Sequence, residues 1–350
     1  ILSSLCFKNL RYKLSFGMEM LFDTIDKDLL DDSMHASRSP NQHFEFLKSL
    51  IDIKNFLGFC DLEIPKHLNV IISKMGTVLK FFKINSSELA IFNESRFVGS
   101  IELNEVIKRS NSRVKIPSEL KSSCYNRVSE NRLTFIMDNG SPSLVNTHAS
   151  SLSFEFSYIG EKIVVNSGSP YVNDKKWSDA MRSTAAFSTV SIDNHNSSDI
   201  YSNKRIAKVW YEKFQNNRSF WINSAHSGYK EIFGVIHNRK VHIDSEKLII
   251  RGQDYFSKPV KHYNLLPKVF FVRFHIHPDI KLNATESKRK VFLKLKNNLA
   301  WEFICSEPKI KLEEGIYLGS NKTIQKNNHI LISGNVIPGK KINWAFRLMR

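Results

Sequence analysis

Two periodicities divide the chain. Over about the first ninety residues the apolar positions recur every three or four. Phe44, Leu47, Leu50, Ile51 and Leu57 form one such face, and Leu68, Ile71, Ile72, Met75, Leu79 and Phe82 form a second. Ser39-Pro40 offers a capping hydroxyl and a proline at the first helical position, and a second helix opens at Pro65. The opening stretch, ILSSLCFKNLRYKLSFGMEMLF, is apolar but broken by Lys8, Arg11, Lys13 and Glu19. That is too much charge for a membrane span, and it reads as a packed helix.

Beyond about Asn93 the period shortens to two. Leu152, Phe154, Phe156 and Tyr158 alternate strictly, Ile159-Gly160-Glu161 makes a turn, and KIVVNSG returns as a more buried strand. KVHIDSEKLIIRG and VFLKLKNNLAWEFI read as hairpins with turns near Ser245 and Asn297-Asn298, and VFFVRFHIHP and NHILISG as further strands. Strands that follow helices without βαβ alternation predict an α+β chain of two domains: a helical segment over 1–95 and a large antiparallel sheet structure over 96–350. The stretch from Ser100 to Glu130 is polar and poorly periodic, and reads as a weak edge strand or a long connection.

Composition narrows the partners. Lys and Arg number 51 against 34 Asp and Glu, a formal charge of +17, and hydrophobic residues make up 41%, enough for a real core. A surface so basic attracts polyanions: nucleic acid, anionic membrane or acidic polysaccharide. The chain carries no zinc-finger, RNP or basic-zipper pattern, so the charge does not specify nucleic acid. The four cysteines lie far apart with no CxxC, which argues against a zinc ribbon or a dense disulfide framework and predicts reduced, buried thiols. The chain begins at Ile1 and shows no signal peptide, so a processed product or a piece of a longer protein is expected.

The chemistry sits in short motifs, without any P-loop, GxSxG, HExxH or GxGxxG. DDSMHASRSPNQH carries His35, Arg38 and His43 on the approach to a helix. VNTHASSLSFEF carries Asn146 and His148, VVNSGSPY carries Asn166, and MRSTAAFST carries Arg182 and Phe187. SAHSGY brings His226 and Tyr229, and RFHIHP places Arg273, His275 and His277 on one strand face. Each histidine has a bland alternative, because a His near a helix start often only bonds locally. Arginines such as Arg38 and Arg182 commonly anchor loops.

In this order the motifs resemble the heparinase II/III family of polysaccharide lyases. HASSLSFEF is similar to the family's His-containing entry to a Ser-Phe strand. IVVNSGSPY is similar to its strand ending in Asp or Asn before Ser/Cys-Gly, and RSTAAFST resembles RSTAAHNT, the most specific of the set. DDSMHASRSPNQH resembles DGGHFERSPMYH at the end of the helical domain. The resemblance runs from Asp32 to the C-terminus. It implies the end of an α/α toroid followed by an antiparallel β-sandwich, with a cleft between them, in a protein whose toroid continues upstream. It also implies export to the periplasm.

The implied reaction is β-elimination on a uronate-containing acidic polysaccharide, glycosaminoglycan-like or alginate-like. The sugar carboxylate must be neutralised so that the C5 proton becomes acidic, a base must remove that proton, and an acid must protonate the leaving oxygen. On this resemblance His148 is the acid/base candidate, with His35 or His43 assisting from the helical side. Arg38, Arg182, Asn146, Asn166, His226 and Tyr229 are candidates for substrate contact. Three departures stand against activity. Phe187 replaces the His of the RSTAAH motif, Asn166 stands where many members have Asp, and Gln42 replaces the Tyr of SPMYH. Members with a zinc in the β domain ligate it through the His, Asp and His of these motifs. Only His148 remains of the three, so no metal or other cofactor is expected. The alternative is a catalytically impaired polysaccharide-binding or envelope-assembly protein on the same scaffold.

Overall fold

A computed structural model describes residues 1–144, 147–169, 174–202, 204–257, 266–320 and 323–349. Its helices are α1 (Leu2–Cys6), α2 (Leu14–Asp28), α3 (Pro40–Phe59), α4 (Lys66–Phe81), α5 (Ser100–Arg109), α6 (Lys175–Arg182) and α7 (Lys230–Phe233). The first sheet takes β1 (Glu119–Leu120), β2 (Tyr125–Glu130), β3 (Leu133–Asp138), β4 (Phe154–Tyr158), β5 (Glu161–Val165) and β6 (Val190–Ile192). The second begins with β7 (Val209–Asn216), β8 (Ser219–His226), β9 (His237–Asp244) and β10 (Ile249–Phe256). The chain returns to the first sheet with β11 (Val269–Ile276) and to the second with β12 (Lys281–Ala284), β13 (Lys290–Lys294) and β14 (Ala300–Cys305). It closes with β15 (Ile310–Ser320) and β16 (Thr323–Asn335) in the first sheet and β17 (Lys341–Leu348) in the second.

Among the described residues the strand order is β1-β2-β3-β4-β5-β11-β16-β15, with β6 also on β11, and β12-β13-β14-β17-β10-β9-β8-β7 in the other sheet. All pairings are antiparallel. The inner faces of the two sheets share one core that includes Phe135, Phe154, Phe274, Trp301 and Trp344. This is a helical segment followed by an antiparallel β-sandwich, the class the periodicities predict.

Local signals explain the elements. Ser39 Oγ accepts from the Gln42 N–H at the start of α3, with Pro40 at its first position. The β4–β5 hairpin turns on Ile159 (φ 49°) and Gly160 (φ 80°), both left-handed, as a two-residue primed turn demands. On β3, Phe135 and Met137 point into the sandwich core, while Ile136 joins the helical core with Leu120 and Tyr125. The helices therefore cover the first sheet, and LTFIMD is apolar on both faces for that reason.

Three expectations change. The Ser100–Glu130 stretch does hold a weak edge strand, β1 at the end of the first sheet, but it also contains helix α5, whose Leu103 and Val106 pack into the helical core. The opening stretch is helical but barely packed: Phe7, Tyr12 and Phe16 are exposed, and α2 buries only Ile25. The cysteines are free but not buried, with Cys6 exposed and Cys60, Cys124 and Cys305 half-buried. Among the described residues no helix is long and apolar enough to cross a membrane.

Candidate functional site

Hydrogen bonds join α3 and the 91–95 connection to the loops after β3, after β5 and before β6, where His148, Asn166, Arg182 and Phe187 lie; His226 and Tyr229 lie apart. His148 is 3% exposed in the loop before β4. Arg182, the last residue of α6, brackets it: its Nε donates to Thr147 O (2.9 Å), and the Ala149 N–H donates to Arg182 O (2.9 Å). Arg182 also donates to Ile200 O and lies 3.8 Å from Asp179. An open pocket of about 460 Å³ lies against Arg182, Thr147, Lys175 and Tyr201.

Phe187 is buried at 2% exposure, its ring at 81° to that of His148 with centroids 6.1 Å apart. Asn166 is fully buried. Its Nδ2 donates to Ile91 O (2.8 Å), its Oδ1 accepts from the Ser188 N–H (2.9 Å), and its own N–H donates to Glu155 Oε1 (2.8 Å). The amide is thereby committed to joining the helical connection, the first sheet and the loop that carries Phe187. Burial pushes the Glu155 carboxyl up to about 7, against the pull of Lys162.

On the helical side, His43 Nε2–H donates to Met75 O (2.9 Å) and Nδ1 accepts from the His35 N–H (3.3 Å). With both nitrogens engaged and burial holding its pKa down to about 4, His43 is a neutral packing group with no nitrogen left for substrate. His35 is half-buried; its Nδ1 meets Ser37 Oγ (2.8 Å) and accepts from the Ser37 N–H (3.2 Å), and its Nε2 makes no hydrogen bond among the described residues. Arg38 sits at φ 58° and is 6% exposed. It ion-pairs with Asp138, donates to Ser123 O (3.0 Å) and Ser141 O (2.8 Å), and lies over the Tyr125 ring. Burial opposes its charge, but Asp138 and Tyr125 outweigh that and raise its pKa. A Cβ at Gly140 would fall 2.2 Å from this guanidinium, so a glycine is needed there. Arg38 thus bolts the helices to the sandwich and is not free for substrate.

His226 and Tyr229 lie in the sandwich interior. The Tyr229 hydroxyl donates to Val190 O (2.7 Å). Gly228 N–H donates to His226 Nδ1 (3.1 Å), so His226 Nε2–H donates to His237 Nδ1 (2.9 Å), and His237 Nε2–H to Asp254 Oδ1 (2.8 Å). The His226 and Tyr229 side chains are both fully buried. His275 Nε2–H donates to Ala185 O (2.9 Å), and burial, with His329 beside it, holds its pKa down to about 3. Asn146 lies outside the described residues.

Residues 113–345 match the family described as heparinase II/III-like, C-terminal. The chain belongs to the heparinase II/III-like family. FtsZ-localized protein C of Caulobacter vibrioides (strain NA1000 / CB15N) is 24% identical over 354 residues, 94% of this chain and 60% of that protein. Two solved heparinases share the fold at 14% identity. The heparan sulfate lyase HepC of Pedobacter heparinus has a TM-score of 0.75 over 98% of this chain and 57% of its own. The heparinase III BT4657 gene product has a TM-score of 0.77 over 98% and 57%. The chain thus spans less than two thirds of the length of each.

The motif resemblance would set a zinc site at His148, Asn166 and Phe187. Phe187 has no donor atom, and both ends of the Asn166 amide are already hydrogen-bonded. Among the described residues no three His, Cys, Asp or Glu side chains converge as a metal site.

Sequence reasoning missed the buried charges around the candidate site. Arg239 is fully buried; it grips Asp254 through Nε (2.8 Å) and Nη2 (3.0 Å) and donates Nη1 to Leu152 O (2.9 Å) and Ser188 O (3.0 Å). Asp254 also accepts from Trp344 Nε1 (2.8 Å). Asp138, Glu155 and Lys162 are likewise buried. Their one visible signal is a lone charge inside an apolar strand, as in SFEF and LTFIMD.

Proposed function

We propose that this chain binds an acidic polysaccharide along the junction of its helical segment and sandwich, on a scaffold shared with lyases. In this reading its β domain no longer carries out the proton transfers of elimination. The observation that carries the reading is the pairing of Phe187 with a committed Asn166. Both positions are spent on packing and loop bracing, and so are His43, Arg38, His226 and Tyr229. The charge of +17 favours an anionic partner, and the exposed Lys175 shares a pocket of the sandwich loops with Arg182 and Asp179.

The name of the Caulobacter relative places that protein at FtsZ. A setting in cell division, at an envelope polysaccharide, is the one we propose for this chain. The direct test is retention of the full-length protein on immobilised heparan sulfate and alginate. Retention that weakens steeply with salt supports the reading, and passage with the void volume contradicts it.

A second reading, lyase activity, is favoured by one observation: His35 keeps an Nε2 without a hydrogen bond among the described residues, in a chain that retains the His148 motif. In that case His148 would act as acid or base at C5 and the leaving oxygen, with His35 assisting and Arg182 drawing the uronate carboxylate.

A further inference from the structure

The outer face of the second sheet carries an open groove of about 600 Å³, on the far side of the sandwich from the helices. The strand registers explain its lining. One cross-strand row runs Ala345, Arg251, His242, Trp221 over β17, β10, β9 and β8. The row beside it runs Asn343, Gln253, Lys240, Asn223 over the same strands. Their neighbours in sequence, among them Ile250, Val241, Ile222 and Trp344, point into the core. Alternation therefore places both rows on the outer surface.

The rows are complementary in chemistry. In the first, the rings of Trp221 and His242 stack with centroids 4.8 Å apart at 20°, and small Ala345 leaves open floor beyond Arg251. The Nε2 of His242 is buried and has no hydrogen-bond partner among the described residues. In the second row, Gln253 Nε2 donates to Asn343 Oδ1 (2.8 Å), fixing one amide pair. Lys240 and Arg251 are exposed, and among the described residues no carboxylate lines the groove. Glu212, opposite Asn223 on edge strand β7, shares the second row but not the lining. Glu302, across from Arg347, is tied to Lys290 (2.9 Å) and Arg347.

We propose that this groove is a second binding site for a chain of acidic sugars, separate from the junction described above. A stacked aromatic ledge suits the apolar faces of sugar rings. Three amides suit hydroxyls, and two cations with no ion pair among the described residues suit carboxylate or sulfate groups. Four strands in register span about 14 Å, room for a short oligosaccharide lying across them. One protein would then hold an anionic chain at two places, raising its hold on a long polymer without tightening either site. The inference rests on the acidic-polysaccharide reading of the junction, and the variants below separate the two.

The experiment is calorimetric titration of the full-length protein with octasaccharides of heparan sulfate and of alginate. It compares the wild type, the groove variants Lys240→Glu/Arg251→Glu and Trp221→Ala, and the junction variant Lys175→Glu/His35→Ala. Lys240 and Arg251 are exposed, so their reversal leaves the fold intact, which the thermal transition checks. The site predicts binding about tenfold weaker in Lys240→Glu/Arg251→Glu, a clear loss in Trp221→Ala, and a residual site in the junction variant. Unchanged affinity in both groove variants, with loss in the junction variant, overturns the groove and leaves the junction standing. Loss in the groove variants alone upholds the groove and sinks the junction. A wild type that binds neither octasaccharide overturns both. Tighter capture of a single-stranded oligonucleotide at the groove overturns its assignment to sugar.

Discussion

The rings of His148 and Phe187 stand nearly perpendicular, their centroids 6.1 Å apart, where the family motif has two imidazoles. A phenyl ring in that place accepts no proton and no metal. Restoring the histidine does not restore a site, because Asn166 is already hydrogen-bonded at both ends. We predict that Phe187→His binds no zinc at micromolar concentration in calorimetric titration. Stoichiometric zinc binding would contradict this.

Asn166→Asp keeps the acceptor for Ser188 but loses the donor to Ile91 and sets a carboxylate against a carbonyl. The loss is expected at about 1–3 kcal/mol near neutral pH by urea unfolding. The deficit shrinks as pH falls, because a protonated carboxyl can donate to Ile91. A variant as stable as the wild type at pH 7 would show that the amide is not needed.

Arg239 joins the second sheet to the loops carrying His148 and Phe187 by way of Leu152 O and Ser188 O. Arg239→Met strands Asp254, buried and without its cation, and leaves both carbonyls without that donor. A cost of about 3–5 kcal/mol is expected. Asp254→Asn leaves Arg239 as the buried charge without its partner and turns an NH2 toward two donors, Arg239 Nη2 and Trp344 Nε1, so a loss of similar size is expected. A loss below about 1 kcal/mol in either variant by urea unfolding would contradict this account of the network.

Burial holds His43 down to about 4 and His275 down to about 3, from 6.5. The unfolded chain takes up protons on these rings that the folded chain refuses. Stability therefore falls as pH drops from about 6.5 toward 4, on the order of 2 kcal/mol per ring at pH 5. Glu155 works the other way: raised from 4.5 to about 7, it contributes stability that is present below pH 4.5 and is lost as pH rises through 7. We predict a net loss from pH 6.5 to 5, and a steeper one in Glu155→Gln. Stability that rises over that interval in the wild type would contradict the assignment.

Much of this was legible in the sequence. Helical spacing located α3 and α4, and alternation located β4, β5, β9, β10 and β11, because each buries one regular face. Helix α5 escaped because it buries little more than Leu103 and Val106 amid charge. The site motifs identified positions but not commitments. Nothing in SPNQH reveals that His43 reaches Met75, thirty-two residues on, or in HASRS that Arg38 reaches Asp138. Such bonds form between segments distant in sequence, where periodicity is silent. Glu155 is the exception a reader of sequence had a chance to catch, as a charge in the middle of a strand with every residue buried.

The central claim is that this scaffold binds an acidic chain while its β domain has given up elimination chemistry. The most direct test is the ultraviolet absorbance of unsaturated uronate when the full-length protein is incubated with heparan sulfate and alginate that it demonstrably retains. The account predicts retention with no rise in absorbance. A steady, enzyme-dependent rise that His148→Ala abolishes would contradict it.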